Sequence, residues 1–249
     1  MAEESGTRMD PALPVVRLCV EGMRAEADGR ADAAHALFRR AWDIAADDYE
    51  ACIAAHYLAR HQSSTEETLR WNQECLDRAD LVGDERVRGF YPSLYVNIGH
   101  TYQKLGQLDL AHACFVRAAE CVSEIPEGQY GDWNRFAVAA GLRSTAAAAA
   151  AETVVPGSEV AVAAAGEGAG GQAGPWAVDE RIGELLARWC ARAELQVLGL
   201  TLPAYLGYLG TDDDRLRLRT ALHMVHAARR LPEDEQTALG EVIGSAVLR

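Results

Sequence analysis

The chain has 249 residues, 49% of them apolar, and a formal net charge of −13. That length is enough for one or two packed domains. The acidic balance argues against a nucleic-acid partner, whose phosphates attract Lys and Arg, and fits a repulsion-stabilised protein or one that meets a basic partner. Lys104 is the only lysine beside a full complement of arginines, a bias expected of a GC-rich bacterial genome.

Residues 1–13 are polar, contain one proline, Pro11, with Pro14 directly after, and are expected to be a disordered tail. No apolar core follows a basic start, and no stretch approaches the ~18 apolar residues of a membrane span, so a cytoplasmic location is expected and no membrane partner. From about residue 14 to 46 a helical pair is expected. Leu18, Glu21, Gly22 and Ala25 lie on the first helix, Asp28, Gly29 and Arg30 make the turn, and Ala34, Phe38 and Ala41 line one face of the second helix.

A second pair spans about 48–81, its second helix opened by Ser64 and Glu67 in capping-box spacing. Gly83 and Asp84 break the helix, and residues 85–93 are a nine-residue excess over the spacing that precedes it. A third pair spans about 92–122. After Ile125, Pro126, Glu127 and Gly128, a helix over 132–143 is expected to cap the third pair through Trp133, Phe136, Ala137 and Ala140.

These pairs repeat. Ala34, Phe38 and Ala41 return after 34 residues as Thr68, Asn72 and Cys75, and after 43 more as Ala111, Phe115 and Ala118. Gly22 and Gly99 stand 12 residues before the first and third of these sets, and His56 before the second. The pattern resembles the tetratricopeptide repeat over about residues 14–143, well matched in the first and third copies and loosely in the second. The resemblance implies an all-α fold in which helical hairpins stack into a superhelix, with the first helix of each hairpin on the concave wall.

The function it implies is non-enzymatic protein–protein interaction, with a peptide or helical partner held in that groove. Carried over by position, the partner-binding residues are Glu26, Glu50, Tyr57, Arg60, His61, Ser93, Asn97, His100, Gln103 and Lys104, beside Cys19, Met23, Ile53 and Val96. Some family members clamp a terminal carboxylate with Lys, Asn and Arg. Here Cys19, Met23, Ala54, Ser93 and Asn97 occupy those positions, so that mode is not expected.

His56 and Asn72 depart from the repeat, standing where a small and an aromatic residue belong, and two polar groups at packing positions need partners. His56, His61, Asn72, Glu74, Asn97 and His100 could converge as the material of a metal or acid–base site, and one reading makes them instead a buried packing network in which His56 and Asn72 are hydrogen-bonded. The other makes His56, Asn97 and His100 an enzyme or small-molecule site. Against joint metal ligation, His56 and His61 diverge by roughly 140° around a helix. His35 and His112 are expected to face outward.

An Ala/Gly-rich linker is expected over 147–175. Residues 176–249 are expected to form a small helical bundle with Ile182, Leu185, Leu186, Trp189, Cys190, Leu218, Leu222, Val225, Leu239, Val242, Ile243 and Val247 inside. Thr211 and the acidic residues after it open one of its helices. An alternative function is a regulatory sensor in which this bundle docks on the repeats. His223 and His226 share a helix face without a third metal ligand, and Arg215, Arg217, Arg219, Arg229 and Arg230 form a basic edge. The six cysteines contain no C-x2-C pair and are expected to be free thiols. No phosphate loop, nucleophile elbow, HExxH or dinucleotide fingerprint is present, and no cofactor or metal is expected.

Overall fold

A computed structural model describes residues 9–152 and 177–245. The described residues form twelve α-helices and no strand, so the protein is all-α. It divides into two compact units, residues 1–141 and 142–249. The expected tail over residues 1–8 and the expected linker from residue 153 to 175 lie outside the described residues.

The N-terminal unit starts with α1 (Pro14–Ala27) and α2 (Ala31–Asp43), which pack on each other along their length. Proline in the first turn of α1 suits a position whose amide needs no helical partner. Val15, Val16, Leu18, Cys19, Gly22 and Ala25 turn one face of α1 inward, while α2 buries only Ala34, Phe38 and Ala41. Between them Gly29 takes a φ of 76°, a left-handed turn that a side chain would strain.

The next pair is α3 (Asp48–Leu58) and α4 (Thr65–Val82), joined through a 3-10 turn at Ala59–His61. Asp47 caps α3 by accepting from the Glu50 amide at 2.8 Å. Ser64 caps α4 by accepting from the Glu67 amide at 3.1 Å. Gly83 ends α4 in the left-handed region at φ 59°. Helix α3 is buried at almost every position because α1, α2 and α4 all pack against it.

The nine-residue excess forms the single turn α5 (Glu85–Arg88) and the start of α6 (Tyr91–Lys104), which pairs with α7 (Leu108–Cys121). Helix α8 (Gln129–Glu152) follows, so the helix expected over 132–143 is longer and reaches residues assigned to the linker.

Two pairs are closed by the same contact. A Cβ added at Gly22 would lie 2.3 Å from the Phe38 ring, and one at Gly99 would lie 2.9 Å from the Phe115 ring. Both rings are fully buried. Each also reaches the helix that begins the next layer. Phe38 stacks on Tyr57 of α3 at 5.2 Å between centroids, and a Cβ at Gly141 of α8 would lie 2.4 Å from Phe115. In the middle pair Asn72 replaces the ring, and its amide donates to Thr101 Oγ1 on α6 at 3.3 Å. The Thr101 hydroxyl donates to the Asn97 carbonyl at 2.7 Å. The joint is made each time, twice by a ring and once by a hydrogen-bonded amide.

The face expected on the capping helix is corrected. Trp133 is 71% exposed and Ala140 is exposed, while Asn134, Val138, Ala139 and Gly141 are buried. The Phe115 ring is the reason: it lies too close to α8 for any side chain at the point of contact, so the small-residue face turns inward.

In the C-terminal unit, α9 (Glu180–Ala191), α10 (Leu195–Leu206), α11 (Asp212–Ala228) and α12 (Glu233–Gly244) each pack on two of the others. Ile182, Leu185, Leu186, Trp189, Leu218, Leu222, Val225, Leu239 and Val242 are buried there and Ile243 is half-buried, whereas Cys190, expected on the same stripe, is exposed and Val247 lies outside the described residues. Thr211 makes a full capping box with Asp214. The Trp189 indole donates to Glu235 at 3.0 Å, and Arg192 donates to both oxygens of that carboxylate at 2.7 and 2.6 Å.

Gly22→Ala should lower the urea midpoint of the full chain. Overpacking against a locked ring costs about 1–3 kcal/mol and outweighs the ~1 kcal/mol that alanine gains in helix propensity. Gly199→Ala on α10, where an added Cβ meets nothing within 4 Å, should raise the midpoint. A raised midpoint for Gly22→Ala, followed by helical circular dichroism, would show that the seam is slack.

Candidate functional site

A groove in the N-terminal unit has a volume of about 1070 Å³. Helix α3 supplies Cys52, Ile53, His56 and Tyr57, and Arg60 follows in the 3-10 turn. Met23 comes from α1, Cys75 from α4, and Ser93 and Leu94 from α6, with Gly89 and Phe90 just before it. The segment 125–130 makes a further wall, ending in Tyr130, and Met9 adds to it. The lining is mostly apolar and aromatic, the character of ligand grooves in general.

The charges in this groove are nearly balanced locally. Arg60 donates to both oxygens of Glu26 at 2.7 and 2.8 Å, tying the end of α1 to the turn after α3. Its guanidinium lies 5.8 Å from the centre of the Tyr57 ring. Burial pushes the His56 imidazole down to about 4, with the nearby Arg60 charge adding to the effect, so the ring is neutral near pH 7. It sits edge-on to Tyr57 at 5.2 Å. Hydrogen bonding to Cys52 and burial hold the Cys75 thiol well above its usual range. Glu127 is exposed in the wall and has no ion-pair partner among the described residues.

Of the ten expected partner-binding residues, the structure brings Tyr57, Arg60 and Ser93 into this groove, with Glu26 joined to it through Arg60. Glu50 is used elsewhere: it is buried, and its carboxylate accepts from the Ala46 amide at 2.8 Å at the start of α3. His61 lies behind the wall, its ring 5.2 Å from Phe38 and its Nε2 3.4 Å from Glu26. Asn97, His100, Gln103 and Lys104 are outside the lining. His100 is exposed, lies edge-on to Phe115 at 5.3 Å, and is shifted down by burial and by Lys104. Of His56, Asn97 and His100, only His56 lines this groove. Cys19, expected on the wall, is buried, and burial pushes its thiol up to about 12.

The lining residues that the repeat pattern did not predict are Phe90, Leu94, Ile125, Tyr130 and the Cys52–Cys75 pair. Phe90 lies within the nine-residue excess. Ile125 and Tyr130 flank a Pro-Glu-Gly turn that reads in the sequence only as a break.

Elsewhere, two arginines of the expected basic edge, both on α11, are offset by the acidic start of that helix. Arg215 pairs with Asp212, and Arg217 pairs with Asp213 at 2.8 Å. Among the described residues no group of three or more His, Cys, Asp or Glu side chains is placed to hold a metal ion. No described helix is long and apolar enough to cross a membrane. Comparison with known protein families, curated proteins and solved structures finds no match.

The unfolded chain protonates His56 near 6.5, while the folded protein holds it neutral down to about 4. Between those values the unfolded state binds more protons, so the contribution is intact above about pH 6.5 and is lost as the pH falls toward 4. Urea midpoints should show wild type losing roughly 1–2 kcal/mol more than His56→Gln between pH 7 and pH 5. Equal losses, or an NMR titration of His56 near 6.5, would place the ring in open solvent.

Proposed function

We propose that the N-terminal unit is a tetratricopeptide-type superhelix, followed by a C-terminal helical bundle, and that its groove docks a protein partner through an extended or helical peptide segment. The observation carrying this reading is the groove itself: about 1070 Å³, lined from the first helices of successive hairpins and from the connecting segments beside them, mostly apolar, and nearly uncharged. A neutral wall in a chain of net charge −13 favours burial of apolar side chains as the source of affinity. The Glu127 carboxylate at the wall favours a Lys or Arg beside those apolar anchors. The overall acidity steers a basic partner toward the protein in the same sense. The role is a non-enzymatic one.

The repeat pattern supports the same conclusion through its exceptions. His56, Cys52 and Cys75 all belong to the middle hairpin, where the pattern is loosest, and all three line the groove.

A random peptide library displayed on phage and panned on the full chain should yield peptides with at least two large apolar residues and one basic residue. Tyr130 is 58% exposed, so Tyr130→Ala should leave the fold intact. That variant should weaken the selected peptides about tenfold in fluorescence anisotropy, equivalent to ~1.4 kcal/mol. Glu127→Gln should reduce the preference for the basic residue, and Trp133→Ala, outside the groove, should change nothing. Peptides that ignore both Tyr130→Ala and Glu127→Gln would place the docking surface elsewhere.

A further inference from the structure

Cys52 and Cys75 bring two free thiols into contact in the groove wall. Their sulfurs are 3.7 Å apart, and the Cys75 thiol donates to the Cys52 carbonyl at 3.1 Å. All six cysteines are among the described residues, and no other two sulfurs are in such contact. The internal repeat shows that packing does not require this pair. The equivalent positions hold Leu18 and Ala41 in the first hairpin, and Tyr95 and Ala118 in the third, a large residue against a small one. Only the middle hairpin sets thiol against thiol, and it does so beside a cavity large enough to admit a small oxidant.

We propose that Cys52 and Cys75 form a dithiol oxidation site, converted reversibly to an intramolecular disulfide by a hydroperoxide entering the groove. The Cys52 thiolate sulfur attacks one peroxide oxygen. The O–O bond breaks, the distal oxygen leaves as hydroxide and takes up a proton, and Cys52 becomes a sulfenic acid. The Cys75 sulfur then attacks the Cys52 sulfur. The S–O bond breaks, the Cys75 proton leaves with that oxygen as a second water, and the S–S bond forms. Two electrons pass from the thiols to the peroxide, and an external thiol restores the dithiol by exchange.

Cys52 is assigned as the attacking sulfur because the Cys75 thiol proton is engaged by the Cys52 carbonyl. Burial makes the first step slow compared with an exposed cysteine such as Cys190. Contact makes the second step fast, so a disulfide forms before a second peroxide can produce sulfinic acid. The bond would join α3 to α4 across the groove wall. The inference does not depend on the peptide reading, since the disulfide is detected directly.

The test is to treat the full folded chain with hydrogen peroxide, block remaining thiols with N-ethylmaleimide under denaturing conditions, and digest with trypsin. Cleavage after arginine isolates the two cysteines in peptides 41–60 and 71–78. The expected result is a linked pair of these peptides that separates on reduction, with Cys52 and Cys75 both lost to alkylation whatever the oxidation of the exposed Cys190. Cys190→Ser should retain the link. Cys75→Ser should instead accumulate a Cys52 sulfenic acid that dimedone captures, and if that variant fails to fold, the wild-type map decides alone. Full alkylation of both cysteines after peroxide, sulfinic acid at either without a link, or linkage to another cysteine would overturn the proposal.

Discussion

A phenyl ring pressed into a helix where no side chain fits is the constraint on which the N-terminal unit depends. Phe38 against Gly22 and Phe115 against Gly99 set how closely the two helices of a hairpin approach, because neither ring has room to turn aside. The rings are shared with the following helix, Phe38 with Tyr57 and Phe115 with Gly141. One residue therefore closes a hairpin and joins it to its successor. A hairpin cut from the stack would leave that ring half in water, losing the ~25 cal/mol per Å² that apolar burial contributes. Stability of this kind belongs to the joints and not to any single helix pair.

The middle joint solves the same problem with different chemistry. Asn72 gives up ring burial and gains a hydrogen bond to Thr101, which is itself satisfied by the Asn97 carbonyl. Such a bond contributes on the order of 1 kcal/mol net, less than a buried ring, but it would cost more than that if either partner were lost. The amide is also smaller. The same hairpin supplies the neutral His56 ring and the two thiols of the groove wall. Arg60 would charge this wall, but its bidentate bond to Glu26 leaves it balanced, and the pair also ties α1 to α3. The groove is therefore mostly apolar, with the Glu127 carboxylate as the charge left open in its wall.

Much of the architecture could be read from the sequence because it is written in local signals. Gly29 and Gly83 mark turns that need a left-handed backbone, Ser64 and Thr211 mark helix starts, and the spacing of Ala34, Phe38 and Ala41 identifies a single buried face. The site was less legible, for two reasons. Glu50 sits three residues after Asp47, the spacing of a helix cap, and its carboxylate is consumed there, although position in the repeat assigned it to the wall. Phe90, Ile125 and Tyr130 reach the groove from connecting segments, whose path depends on contacts far away in sequence. The buried face of α8 was hidden for a similar reason. Trp133 and Phe136 make the stronger apolar stripe, but Phe115, on another helix, requires Gly141 to face it. A hydrophobic period shows that a helix has a face and leaves open which neighbour chooses it.

The departures from the repeat are concentrated rather than scattered. Glycine and phenylalanine give way to His56 and Asn72, and a large–small apolar pair gives way to Cys52 and Cys75, all within one hairpin. The first and third hairpins keep the residues that packing alone would select. If the substitutions were neutral drift in a tolerant scaffold, they would have no reason to share a cavity. Three of the four line the groove, and the fourth, Asn72, holds the adjoining joint to α6. Local rules of packing are broken together where something other than packing is being served, and are kept where stability is the only demand.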